Sequence, residues 1–243
     1  MNGIFVADLV VYLLLLPIAL YICFKHGKAG FLPWYFFIIF CGARIAGGAL
    51  GVHDNHSLAA NILQSVGFTP IILGADGMVH EARLYRNPNH SRVLDWSVVA
   101  GISGLMIAAL ALSITGALNV YQNRYDASSE KISMWQAGSA MMVAIWALEV
   151  LWCAFSLSPS QNRGTARAYQ GGSTLLQGTL IAHIFVGIRV IYTLVAVATQ
   201  RSDLSPVTGK IAIRVVLMFL PEVLAIMVFL AIGLRTRNLP ELI

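Results

Sequence analysis

Eight ionisable side chains fall inside long apolar stretches of this chain: Asp8, Arg44, Asp76, Glu149, His183, Arg189, Arg214 and Glu222. A charge placed deep in lipid costs at least a few kcal/mol, so such groups face one another, a ligand or water. Two kinds of chemistry suit this set. A carboxylic acid kept protonated by burial can donate its proton to an alkene or epoxide, because desolvation disfavours the charged form. A surplus of guanidinium groups can bind a polar head. Three arginines against the two carboxylates Asp8 and Glu222 leave donors for backbone carbonyls, water, or a ligand phenol or carboxylate. The purely structural alternative is that Arg44, Arg189 and Arg214 pair with Asp8 and Glu222 to lock helices together.

Helical phase, about 100° per residue, tells which of these groups can share a cavity. Asp8 and Tyr12 lie on one face of the first stretch. Arg214, Met218 and Glu222 fall within an arc of about 80° on the last. Ser57, Asn61, Gln64, Asp76 and His80 form a polar ribbon on the third, and Arg189 and Tyr192 are three apart on the sixth. Four polar stripes must face each other to avoid lipid, which predicts one connected network with a cavity beside it. Within that network Glu222 is expected to be less tightly paired than Asp8. His183 points away from Tyr192 and reads as a core histidine. His80 and Glu81 can snorkel to the interface, and Glu149 reads as an interfacial carboxylate among Trp146 and Trp152.

Several chemistries have no residues to carry them. The three cysteines, Cys23, Cys41 and Cys153, make neither a disulfide framework nor a metal knuckle, and no metal ligand set is expected. Lys210 lies only at the edge of the last stretch, so a retinal Schiff base is not expected. Only His183 is deep enough for a bis-histidine haem. Phosphate-cradling glycine loops and Ser-His-Asp spacing are missing. No cofactor is expected.

The elements that must position these residues follow from composition. The chain has 243 residues, of which 58% are hydrophobic and 11% charged, against about 25% charged in soluble domains. A bilayer core of about 30 Å needs about 20 apolar residues in a helix. Seven stretches are long enough: Ile4–Phe24, Phe31–Leu50, Ala59–Met78, Ser97–Leu118, Ile132–Phe155, Thr174–Thr199 and Ile211–Leu234. Strands of a barrel would need only about 10 alternating residues, and continuous apolar runs satisfy their backbone in lipid only as helices. The expectation is an all-α polytopic membrane protein, one seven-helix domain over residues 1–243, with the first span retained rather than cleaved.

Basic residues set the orientation. Lys25, Lys28, Arg83, Arg86, Arg92, Arg163, Arg167, Arg235 and Arg237 lie at one side; only Arg124, Lys131, Arg201 and Lys210 lie at the other. That bias puts the C-terminus in the cytoplasm and the N-terminus in the lumen, with the endoplasmic reticulum the expected membrane. The net charge of +5 is thereby accounted for, and nothing points to nucleic acid. Asn55-His56-Ser57 and Asn89-His90-Ser91 match glycosylation sequons, but the first is too near the membrane and the second on the wrong side. Small residues on the fourth stretch (Gly101, Gly104, Ala108, Ala109, Ser113), with Gly47 and Gly51 on the second, predict close helix packing. Trp34, Tyr35 and Trp96 are expected in the interfacial belt.

Arg44-Ile45-Ala46-Gly47-Gly48, Leu63-Gln64-Ser65-Val66-Gly67, Arg189-Val190-Ile191-Tyr192, Pro206-Val207-Thr208-Gly209 and Glu222 resemble a family of small fungal seven-span proteins of unassigned function. The likeness covers nearly the whole chain, and Asp8 stands where that family is expected to carry glutamate. That family is similar in size and topology to the membrane-bound terpene cyclases of fungal meroterpenoid pathways, of the ascochlorin and macrophorin type. The acidic motifs of the pyripyropene-type cyclases are not found here. The resemblance implies a cyclase acting on a prenylated or terpenoid, lipid-soluble substrate within membrane lipid. Glu222 is then the expected acid, Asp76 the second choice and Asp8 the third, since a nearby arginine would keep Asp8 ionised. Tyr12, Arg44, Asn61, Gln64, Arg189, Tyr192 and Arg214 would orient the substrate head. The alternative is a non-enzymatic sensor or carrier of a small hydrophobic ligand using the same cavity.

Overall fold

The computed structural model describes residues 3–54, 57–87, 91–122, 129–159 and 165–239. Both sequons, at 55–57 and 89–91, and the basic positions Arg124 and Arg163 lie wholly or partly outside them. Among the described residues there are seven helices long and apolar enough to cross a membrane and no strands. They are α1 (Gly3–Lys28), α2 (Gly30–His53), α3 (Leu58–Arg86), α4 (Val93–Gln122), α5 (Ser129–Ser156), α6 (Ala166–Thr199) and α7 (Ile211–Thr236). The protein is an integral, multi-pass bundle.

α1 and α2 form a hairpin with almost no loop, because Gly27 adopts φ 56, ψ −145, a conformation open in practice only to glycine. The returning helix then lies directly against the start of the first. A Cβ at Gly48 would stand 2.8 Å from the Phe5 carbonyl oxygen and 2.9 Å from the Leu9 nitrogen. Backbone cannot yield there, so Gly48→Val is expected to destabilise the bundle by about 1–3 kcal/mol, the usual cost of overpacking. A thermal unfolding curve of the detergent-solubilised protein checks this; an unchanged midpoint would deny the close contact. Gly51, whose added Cβ would meet the Phe5 ring at 2.4 Å, makes the same contact one turn on, as the sequence led one to expect.

α3 and α6 are the central helices, their apolar windows 61% and 56% buried against 28–44% for the other five. α3 is not one continuous rod. Its first segment ends at Val66, and a second starts at Thr69, with Gly67 and Phe68 between them. Pro70 has no N–H for the Val66 carbonyl, which the Thr69 hydroxyl satisfies instead, while Gly67 N–H caps the Leu63 carbonyl; the break interrupts the ladder for the Gln64 and Ser65 carbonyls between them. α7 has a comparable irregularity. Residues Val215–Phe219 are wound as a π-helix, just before Pro221.

Two packing expectations change. Gly101 and Gly104 on α4 have nothing within 4 Å of an added Cβ; they face outward, and the α4–α5 contact is made by the other face. There Gly138 of α5 meets Ser113 and Ala109, and Gly116 meets Trp135. Trp34 is not a belt residue. It is fully buried, packed where Gly233 of α7 leaves room. Tyr35 and Trp96 do face outward.

Candidate functional site

The break in α3 creates the first polar cluster, in the half of the bundle nearest the N-terminus. Arg189 of α6 reaches the C-terminal end of the first segment of α3, where its Nη2 donates to the carbonyls of Gln64 (3.0 Å) and Ser65 (3.3 Å). Arg44 of α2 adds Nη1 to the Leu63 carbonyl at 3.3 Å. Cations at a helix C-terminus are favoured by the helix dipole as well as by the free carbonyls. The Arg189 guanidinium also lies 4.3 Å over the Phe68 ring, a cation–π contact in a dry setting.

Both arginines then converge on one oxygen. Glu222 Oε1 accepts from Arg44 Nη2 at 2.6 Å and from Arg189 Nε at 2.5 Å, and all three residues are buried. Gln64 completes the network: its Nε2 donates to Asp8 Oδ2, and its Oε1 accepts from Arg44 Nη1 at 3.4 Å. Arg189 Nη1 donates to Thr193. Five helices therefore meet in one connected set of charge-assisted bonds, which are among the strongest available to side chains.

A family model described as a domain of unknown function, DUF7702, matches residues 1–239. The chain belongs to that family. No curated protein and no solved structure matches this DUF7702 protein.

One expectation about the network is overturned. Glu222 is the more tightly held carboxylate, with two guanidinium partners, whereas among the described residues Asp8 accepts from the Gln64 amide alone. The reason is the break in α3, which draws both arginines to the depth of Glu222. A carboxylate engaged by two cations is a structural acceptor and a poor proton donor. The geometry therefore does not favour Glu222 as an acid.

Arg214 stands apart. The π-turn of α7 puts extra backbone between it and Glu222, and no bond joins it to the network. Nε and Nη2 of Arg214 donate to nothing, and the residue is 3% exposed. Its electrostatic neighbours are Tyr192, Asp8 and Tyr121. The Tyr12 hydroxyl and Asn61 Oδ1 are also buried without partners, with Tyr12 set edge-on against Phe40 at 5.3 Å. Tyr192 donates to the Leu204 carbonyl at 2.9 Å, and the Tyr121 hydroxyl lies 2.5 Å from Ser65 Oγ.

Tyr121 and Tyr192 each line a cavity. Tyr121 lines a pocket of about 420 Å³ at the end of the bundle, with Trp135, Val197, Gln200 and Ser205. Tyr192 lines an apolar groove of about 570 Å³ with Trp146, Ile188, Ile191, Val195 and Leu217. Ile188, Ile191 and Val195 are exposed on the bundle surface, so the groove opens sideways to lipid.

A second polar cluster lies deeper. Glu149 of α5 and His183 of α6 are each 1% exposed, with His183 Nε2 3.9 Å from Glu149 Oε2. Asp76 of α3 is buried within electrostatic reach of Glu149. Glu149 is thus not interfacial: it faces the core, while the neighbouring Trp146 turns its indole N–H to the His183 carbonyl at 3.0 Å. Asp76 does not share the site of Asn61 and Gln64, because the break in α3 divides the ribbon that sequence phase would make continuous.

Sequence reasoning missed a third set of contacts. His26, two residues before the end of α1, lies 2.6 Å from Glu81 Oε1 through Nδ1 and 3.0 Å from the Gly233 carbonyl through Nε2. Glu81 is fully buried and does not snorkel. Arg83 pairs with Asp95 at 2.9 Å and Arg86 donates to the carbonyls of Leu157 and Ser158. These bonds tie the opposite end of the bundle together. Their only sequence signal was the crowding of basic and acidic residues at helix ends, which reads equally well as interfacial charge. Among the described residues, no group of three or more His, Cys, Asp or Glu side chains is arranged to hold a metal.

Proposed function

We propose that this DUF7702 protein binds a small hydrophobic ligand, prenylated or terpenoid, with an acidic or phenolic head, as a membrane-embedded sensor or carrier. The observation that carries this reading is Arg214: a buried guanidinium with two free donors. A forked pair of donors suits a carboxylate or phenolate. Tyr192 lines the lipid-open groove and is an electrostatic neighbour of Arg214, so a ligand with its apolar tail in the groove can direct its head past the tyrosine toward Arg214. The basic-residue bias supports an orientation with the N-terminus lumenal, and the endoplasmic reticulum is the proposed membrane.

A membrane terpene cyclase is the second reading. It draws on the resemblance to fungal seven-span cyclases and on two buried carboxyl groups, Asp76 and Glu149, of which Glu149 has both oxygens without a hydrogen-bond partner among the described residues. In that reading Asp76 replaces Glu222 as the proton donor, with Trp146 as a cation-stabilising wall. One incubation separates the two. A farnesylated hydroxybenzoate, and its terminal epoxide, are offered to the protein in nanodiscs, and the lipid extract is analysed. Saturable binding with both compounds recovered unaltered is expected. A cyclised product that disappears in Asp76→Asn would establish the second reading in place of the first, and no binding would end both.

A further inference from the structure

Glu149 and His183 form a buried pair that the Arg214 ligand site does not use. Both Glu149 oxygens and both His183 ring nitrogens are without a hydrogen-bond partner, and the 3.9 Å between Nε2 and Oε2 is too long for a direct bond. Four unsatisfied polar atoms at one place inside a membrane bundle are out of keeping with the rule that buried polar groups are bonded. A water beside the pair, bonded to both groups, would satisfy them. The neighbours that could compete are few. Cys153, one turn along α5, gives its thiol to the Leu176 carbonyl. From α3 comes Asp76, and from α4, beyond it, comes Asp95. Asp95 is held by Arg83 and lies 3.9 Å from His80 Nδ1. The titratable groups thus run inward from the end of the bundle: Asp95 and His80, then Asp76, then Glu149 and His183.

We propose that Glu149 and His183 form an internal proton-binding site, hydrated and connected through Asp76 to the end of the bundle that carries Asp95. One proton is shared by the pair. When it leaves the Glu149 oxygen for the bridging water, a proton of that water passes to His183 Nε2, leaving carboxylate and imidazolium. The return step reverses both transfers. The site rests on neither reading of the ligand groove.

Infrared spectra of the full-length protein in nanodiscs, taken in H₂O and in D₂O, test this directly. A carboxylic-acid C=O band is expected that shifts on exchange into D₂O, is lost in Glu149→Gln and moves in frequency in His183→Gln. The wild-type protein alone gives a second reading if Glu149→Gln does not fold. With histidine labelled in its ring nitrogens, one of the six histidines should titrate together with that band. The proposal fails if the folded wild-type protein shows no such band, or if the band ignores D₂O. It fails equally if the band survives Glu149→Gln or is unmoved by His183→Gln.

Discussion

Glu222→Gln is expected to cost the folded protein about 3–5 kcal/mol, the range for removing one partner of a buried ion pair. The carboxylate neutralises two guanidinium groups that lie 2.6 and 2.5 Å from the same oxygen. With a neutral amide in its place, Arg44 and Arg189 face each other at close range in a dry interior. Truncating the arginines singly should not be symmetrical. Arg189→Met removes an ion-pair partner and also uncaps the Gln64 and Ser65 carbonyls, whereas Arg44→Met leaves the Leu63 carbonyl still bonded to the Gly67 N–H and loses beyond its ion pair only the Gln64 side-chain contact among the described residues. Arg189→Met is therefore the more damaging. A triple apolar replacement, Arg44→Met with Arg189→Met and Glu222→Leu, should recover much of the loss, because no member of this ion-paired triad is then left charged without its partner. Thermal and chemical unfolding in detergent provide the measurement. A Glu222→Gln protein as stable as the parent would show that the cluster is not a structural lock.

Arg214→Gln should act in the opposite way. In the absence of ligand its Nε and Nη2 have no partner, so removing the charge relieves a desolvation cost, and stability is expected to hold or rise. Ligand affinity is where the loss should appear. A hydrogen bond to a charged group is worth about 1.5–3 kcal/mol, corresponding to roughly 10- to 100-fold in dissociation constant. The farnesylated hydroxybenzoate gives the readout, measured with wild-type and variant protein side by side in nanodiscs. Ile188→Trp, which fills the groove from its lipid face, should weaken the same ligand without altering the preference for an acidic over a methylated head. An Arg214→Gln protein that melts earlier yet binds unchanged would make Arg214 a structural residue and move the head elsewhere.

The polar network was legible in the sequence because charge burial in lipid leaves few solutions. Asp8, Arg44, Gln64, Arg189 and Glu222 had to turn inward and meet, and they do. Their pairing was not legible. Phase counted at a constant 100° per residue assumes an unbroken helix, and both helices that matter most depart from it. In α3 the signal was present as Gly67 and Pro70, but a glycine and a proline inside an apolar run are common in membrane helices and need not stop one. In α7, Pro221 hinted at irregularity without telling whether a kink, a tight turn or a π-turn would follow.

Residue type and run length determined the seven membrane helices of this chain and the inward side of each polar stripe, because in lipid every backbone group and every charge must be satisfied locally. Which carboxylate is locked and which arginine is left free was decided only when the helices packed. The Gln64 and Ser65 carbonyls at the α3 break hold Arg189, the Gln64 side chain and Leu63 carbonyl hold Arg44, and these two claim Glu222. The π-turn offsets Arg214 from the same oxygen, leaving its donors unfilled beside the groove. Such choices turn on shifts of a few ångströms and a fraction of a helical turn. Tertiary packing sets those, and one-dimensional periodicity does not encode them.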